Sequence, residues 1–423
     1  MKQLITIAYI LLIVTSCRRE FVAPVPNTDW DLFNSPTAVR LTRLTMNKME
    51  GIYSFGAGAD VFGDSTALKW SYTVSGNDTS YKLSMFCEKQ AAYFILEGKR
   101  LDTSILLNGY WRKLVNTETG RVRLTINQVN GSNYLISPSP LNSNNKFAVT
   151  GTFSYGDAVP DRPVNIQYNR SLNRTTPFQI IAHRGGGRTA DILPASENSI
   201  EILKLAPQLG STGVEIDVRL TKDGIPILYH DARLNERLVQ KSGLLGPIEN
   251  YSYAQLNTIV RLKNGERIPT LRDALITIVV NTPLNLVWLD IKYHGSLQTV
   301  AALQAEFQQK ANNMGRTLEI MIGIPDEEVQ KNFLALPNSA SIPSINELSP
   351  EKVIQTNSKV WAPRWTLGLQ NEEVAAQQAQ GRRAYVWTLD IPENIQQFIL
   401  EGRFDGILSN YPSVVAYYHY AKK

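Results

Sequence analysis

Two hydrophobic periods divide the chain. From about Val39 to Ser154, apolar and polar residues alternate in short runs, as in Lys69-Trp70-Ser71-Tyr72-Thr73-Val74, Tyr81-Lys82-Leu83-Ser84-Met85 and Arg121-Val122-Arg123-Leu124-Thr125-Ile126. Turn signals such as Ser75-Gly76-Asn77-Asp78, Asn108-Gly109, Thr119-Gly120 and Asn130-Gly131 separate such runs. Period two with frequent turns predicts a small all-β domain, a sandwich or a lipocalin-like barrel. After Pro177 the pattern becomes short apolar runs between amphipathic stretches. Strands are expected at 178–182, 213–219, 225–229, 284–291, 318–323, 359–363, 384–389 and 405–409, with helices such as Leu297–Lys310 and Pro392–Glu401 between most of them. The stretch 337–348 reads either way. Eight strands over this length predict an α/β fold, a (β/α)8 TIM barrel.

The boundaries follow from the same texture. Residues 1–17 read as a leader, 18–36 as a Pro-containing tether, 37–156 as the all-β domain, 157–177 as a linker and 178–423 as the TIM barrel. A chain of 423 residues exceeds what one core usually serves, in keeping with two domains. The formal charge is +5, with basic residues in no run beyond pairs such as Arg18-Arg19 and Arg382-Arg383, which excludes a nucleic-acid footprint. The two cysteines, Cys17 and Cys87, make no disulfide framework, and Cys87 reads as a buried, unreactive thiol.

The leader is specific. Lys2 precedes an apolar run from Leu4 to Val14, too short to span a bilayer. It ends Val14-Thr15-Ser16-Cys17, which resembles the lipobox of bacterial lipoproteins. The resemblance implies cleavage before Cys17, lipid on its sulfur, and an exported chain held at the membrane of the cell envelope.

Candidate chemistry gathers at the predicted strand ends, where barrel enzymes keep it. The first end gives His183, Arg184 and a triple-glycine turn; the second gives Glu215 and Asp217, which share one face of a strand. The third gives His230-Asp231, the fourth Asp290 and Lys292, the seventh Trp387. Three carboxylates suit a hard divalent cation, and the lack of thiols at these ends argues against structural zinc.

The ordered set His183-Arg184-Gly185, Glu197-Asn198, Glu215-x-Asp217, His230-Asp231, Gly265–Leu271, Asp290-x-Lys292, Val386-Trp387-Thr388 and Phe404-Asp405-Gly406-Ile407 resembles the glycerophosphodiester phosphodiesterases across about residues 178–420. The resemblance implies hydrolysis of a small glycerophosphodiester to glycerol 3-phosphate and an alcohol. It implies a calcium or magnesium ion on Glu215, Asp217 and Asp290, an acid–base pair in His183 and His230, and phosphate contacts from Arg184 and Lys292. Glu197 and Trp387 would support the site. Two departures stand out: Asp290 replaces the more usual glutamate, and Ser196 replaces the proline of a Pro-Glu-Asn motif. The alternatives are a phospholipase-like relative acting on intact lipid, and a non-catalytic lipoprotein that binds a phosphate ligand.

Overall fold

A computed structural model describes residues 23–114, 117–142, 145–174 and 177–423; Cys17 and the leader lie outside the described residues. Eight antiparallel strands form the barrel of the first domain: β1 (Gly51–Phe55), β2 (Ser65–Ser75), β3 (Asp78–Cys87), β4 (Ala92–Leu101), β5 (Ser104–Lys113), β6 (Thr119–Ile126), β7 (Ala148–Phe153) and β8 (Arg162–Arg170), and the two-residue strand Val39–Arg40 adds to the end of β4. Each pairs with the next, and β8 pairs back onto β1, so the sheet is a closed up-and-down barrel rather than a sandwich. The interior is filled by side chains: Phe62 meets Phe94, Trp111 and Phe153 edge-on at 4.7, 5.3 and 5.0 Å. Such packing is how a small eight-stranded barrel stabilises itself.

Three expectations fail in this domain. Asn108-Gly109 lies inside β5, not at a turn; a Cβ on Gly109 would fall 2.0 Å from the Ile95 carbonyl oxygen, so glycine is there for close strand approach. Residues 162–170, expected in the linker, are strand β8, with Val164 and Ile166 turned inward despite Pro163 beside them. Part of the expected tether is docked: Phe33 is buried, and the Thr28 carbonyl accepts a 2.6 Å hydrogen bond from Asn108 Nδ2.

The second domain is a parallel barrel of β9 (Gln179–Ala182), β10 (Gly213–Leu220), β12 (Leu286–Ile291), β13 (Glu319–Ile324), β14 (Ser344–Asn346), β15 (Val360–Trp361), β16 (Arg383–Val386) and β17 (Gly406–Ser409). It closes where β9 pairs with both β10 and β17. β11 (Pro226–Leu228) was expected as a stave, but it runs antiparallel against the end of β10. The five residues 221–225 between them are too few for a parallel crossover. The eighth stave is instead β14, from the ambiguous stretch.

The two barrels share a core. Along β4, Phe94 and Leu96 point into the first barrel, whereas Tyr93 and Ile95 point out and pack with Leu205, Leu209 and Val415 of the second. Polar contacts cross the same seam: Ser65 Oγ lies 2.6 Å from Tyr417 Oη, and Asn281 Nδ2 donates to the Val74 carbonyl at 2.9 Å. Cys87 is free and buried, and burial pushes its thiol up to about 12. Among the described residues no helix is long and apolar enough to cross a membrane.

Candidate active site

The parallel register assembles the acidic cluster. Asp217 on β10 sits beside Asp290 on β12, and Glu215 lies two residues back on the same face of β10. One oxygen from each of the three lies within 4.8 Å of the others. Glu215 Oε1, Asp217 Oδ1 and Asp290 Oδ1 are buried without a hydrogen-bond partner. Burial and mutual repulsion push the Glu215 carboxyl well above its usual range, and burial likewise raises Asp290. Burial pushes Asp217 the same way, but Lys292, His230 and Arg184 outweigh it and hold that carboxyl below its ordinary value. Buried, orphaned carboxylate oxygens facing one another are what a hard divalent cation neutralises, so the donor set fits calcium or magnesium.

Each acid is held from behind. The Glu215 Oε2 atom accepts a 2.8 Å hydrogen bond from the Arg184 amide, which the left-handed backbone of Arg184 (φ +53°) turns toward it. Asn198 grips Asp217 twice: its Nδ2 donates to Oδ2 at 2.7 Å, and its Oδ1 accepts from the Asp217 amide at 3.1 Å. Lys292 Nζ donates to Asp290 Oδ2 at 2.5 Å and lies 3.4 Å from Asp217 Oδ1. Burial opposes its charge, but the three acids more than compensate and raise its pKa.

The two candidate acid–base residues differ. His183, at the end of β9, is partly buried, with Nε2 3.8 Å from Glu215 Oε2, while its Nδ1 lies 2.8 Å from Asn410 Oδ1. Burial, with help from Arg184, lowers its pKa to about 3. His230 follows β11, is partly exposed, and places Nδ1 2.6 Å from Asp231 Oδ1. Burial opposes ionisation of Asp231, yet hydrogen bonds from Arg237, His230 and Asn235 hold its carboxyl well below the carboxylate range. Asp217 feels both imidazoles.

Arg184 is spoken for: Nη1 donates to Glu197 Oε1 at 2.8 Å, and Glu197 Oε2 accepts from the Thr189 amide at 2.7 Å. Trp387 stands at the end of β16, its indole N–H on the Ala362 carbonyl at 2.7 Å and its ring under the Arg364 guanidinium at 4.7 Å.

Four residues at the site escaped the sequence reading. Asn410 and Asp390 form a chain behind His183: Asn410 Nδ2 donates to Asp390 Oδ2 at 2.6 Å and the Asn410 amide to Oδ1 at 2.9 Å. Their only signal is position, Asn410 directly after β17 and Asp390 four residues after β16. Asn198 lay inside a recognised motif without a role. Glu347, just past the unrecognised β14, carries an unpartnered buried Oε1, and burial beside Asp290 raises its carboxyl.

Residues 183–358 match the model of the Glycerophosphoryl diester phosphodiesterase family. Glycerophosphodiester phosphodiesterase 1 of Rattus norvegicus is 36% identical over 141 residues, covering 31% of this chain and 40% of that protein. Its Homo sapiens counterpart is 32% identical over 190 residues, 42% of this chain and 54% of that one. The chain thus spans about half the length of these curated relatives. A probable glycerophosphodiester phosphodiesterase 2 of Mycobacterium tuberculosis is 25% identical over 249 residues, 54% of this chain and 86% of its own. Among solved structures, an Oleispira antarctica phosphodiesterase in complex with the product sn-glycerol-3-phosphate is 22% identical with a TM-score of 0.44, covering 56% of this chain and 94% of that one.

Proposed function

We propose that this chain, whose second barrel carries a domain of the glycerophosphoryl diester phosphodiesterase family, hydrolyses glycerophosphodiesters to glycerol 3-phosphate and an alcohol. One observation carries the reading: three buried carboxylate oxygens without a hydrogen-bond partner gather at the C-terminal end of a parallel barrel, in the same site as His183 and His230. A calcium or magnesium ion on Glu215, Asp217 and Asp290 would supply Lewis-acid polarisation of the phosphoryl group. His183, kept neutral by burial and with Asn410 accepting at Nδ1, offers Nε2 as the base that withdraws the proton of the nucleophile, either water or the neighbouring glycerol hydroxyl, whose cyclic phosphate water would then open. His230, with a carboxylate at Nδ1, is the acid that protonates the departing alkoxide. Lys292 offers positive charge to the phosphoryl oxygens beside Asp217 and Asp290. Arg184, tied to Glu197, orients the turn that carries His183 and adds charge from one side.

The lipobox at Cys17 supports a lipid-anchored, exported enzyme that meets its substrate at the cell envelope. The test is release of glycerol 3-phosphate from glycerophosphocholine by the full chain in detergent, with calcium, with magnesium, and after exhaustive chelation. Cation-dependent release that falls by about 10²–10⁴ in His183→Ala and in His230→Ala supports the reading. Undiminished release after chelation, or no release under any condition, refutes it. For the anchor, Cys17→Ser should leave the membrane fraction; retention there refutes lipidation.

A further inference from the structure

The carboxylate behind His230 is itself gripped by an arginine. The guanidinium of Arg237 meets both oxygens of Asp231: Nη2 donates to Oδ1 at 2.6 Å and Nε to Oδ2 at 3.3 Å. Oδ1 is also the atom 2.6 Å from His230 Nδ1, and Oδ2 accepts from Asn235 Nδ2 at 2.6 Å. A two-point fork fixes the plane of a carboxylate, which a single donor cannot do. With that plane fixed, Oδ1 stays on Nδ1, and the ring of His230 is held with Nε2 as its free nitrogen.

Arg237 reaches the other histidine arm as well. Its Nη1 lies 3.5 Å from both oxygens of Glu197, a buried residue that also accepts from Arg184 Nη1 at 2.8 Å and from the Thr189 amide at 2.7 Å. Arg184 follows His183 directly in the chain. One guanidinium thus bridges the carboxylates behind both histidines. The loop that presents it is pinned: the Arg237 amide donates to Asn235 Oδ1 at 3.1 Å, and the next two residues, Leu238 and Val239, are buried in one apolar cluster with Ile227 and Tyr229. The Arg237 and Asp231 side chains are nevertheless 40% and 24% exposed, and ion pairs open to water contribute little to stability. Orientation, more than stability, is what such a fork supplies.

We propose that Arg237 is the positioning residue of the leaving-group acid: it fixes Asp231 and, through Asp231, the imidazole of His230 for proton transfer to the departing alkoxide. The proposal rests on the diester hydrolysis proposed above. In that step the P–O bond to the alcohol breaks, its electron pair stays on the alcohol oxygen, and the Nε2 proton of His230 joins that oxygen. An alkoxide needs that proton, whereas p-nitrophenolate leaves as a stable anion without it.

The test compares two diesters, glycerophosphocholine and glycerol 3-phospho-p-nitrophenol, with the full chain under saturating cation. Arg237→Leu should lower kcat on glycerophosphocholine by about tenfold or more with KM little changed, and on the nitrophenyl diester by less than about threefold. In a His230→Ala background, Arg237→Leu should cost less than about threefold on either diester. Its melting temperature should match that of wild type. With isotope-labelled histidine, proton NMR should show the His230 Nδ1 proton exchanging faster with water in Arg237→Leu. That readout needs no turnover, so it judges the positioning role even if wild type is inert on both diesters and the functional reading is what fails. The proposal is overturned if both diesters slow by the same factor, if neither slows, if the loss persists in the His230→Ala background, or if the Nδ1 proton exchanges as in wild type.

Discussion

Replacing Asn410 tests how His183 is set. Both oxygens of Asp390 accept hydrogen bonds from Asn410, Oδ2 from the side-chain amide and Oδ1 from the backbone N–H. The side chain of Asn410 therefore cannot flip, and its Oδ1 must face His183 Nδ1 at 2.8 Å. An acceptor there places the imidazole proton on Nδ1 and leaves the lone pair on Nε2. Asn410→Leu removes the acceptor and strands a buried N–H, a loss of about 1–3 kcal/mol for the productive tautomer. Translated into rate, kcat should fall by about 5- to 150-fold, with KM nearly unchanged. Asn410→Asp should act differently. A carboxylate at Nδ1 stabilises the imidazolium, so the His183 pKa rises from about 3 and the acid limb of the kcat profile moves to higher pH. The assay is steady-state release of glycerol 3-phosphate from pH 4 to 9 for the three proteins, under saturating cation. An Asn410→Leu enzyme within about twofold of wild-type kcat, or an Asn410→Asp profile that does not shift, would refute the tautomer argument.

Three further outcomes are expected. Calcium or magnesium should raise the melting temperature of the chain, with about 2.7 kcal/mol of stabilisation at a hundredfold excess over Kd, and Asp217→Asn should abolish that rise; calorimetry decides. His419, stacked on Phe178 at 4.7 Å, has its pKa lowered to about 4 by burial and, secondarily, by Lys422. The unfolded chain binds that proton more readily, so its contribution is complete above pH 6.5 and lost as pH falls toward 4; His419→Phe should flatten the urea-unfolding profile there by at most about 3 kcal/mol. Arg112, fully buried in the first barrel, donates Nη2 to the carbonyl of Ile192 in the loop beside the site; Arg112→Met should speed amide exchange in residues 189–192, lower kcat, and destabilise by about 1.5–3 kcal/mol, whereas unchanged exchange would break the link.

What was legible in the chain follows physical range. The alternation of β10 fixes Glu215 and Asp217 on one face, and a parallel stave beside it brings Asp290 into register, so the acidic cluster could be read from strand ends alone. Strand membership was harder. Residues 226–228 are as apolar as a stave, and only the five-residue connection before them forbids a parallel role. Residues 344–346 are one short stave after Pro343, with too few positions to show a period, and Glu347 was missed with them. Asn410 and Asp390 act through partners far along the chain, and no local pattern encodes such a contact. The seam was illegible for a related reason: Tyr93 and Ile95 look like the solvent face of a strand until a second barrel covers them.

Barrel closure has a consequence for the order in which the protein comes into being. The last strand of the first barrel, β8, ends at Arg170, so every backbone pairing that barrel needs has been synthesised before β9 begins. The second barrel has the opposite character: β9 waits for β17, and His183 waits for Asn410, 227 residues downstream. A nascent chain therefore carries a finished antiparallel barrel with an open, edge-exposed half-barrel behind it, and the outward faces of Tyr93, Ile95 and Phe86 are then bare. The completed domain is a ready surface on which the unfinished sheet can assemble. Chains cut between Lys292 and Gly406 would keep both histidines and all three acids, yet lack the stave that closes the barrel around them.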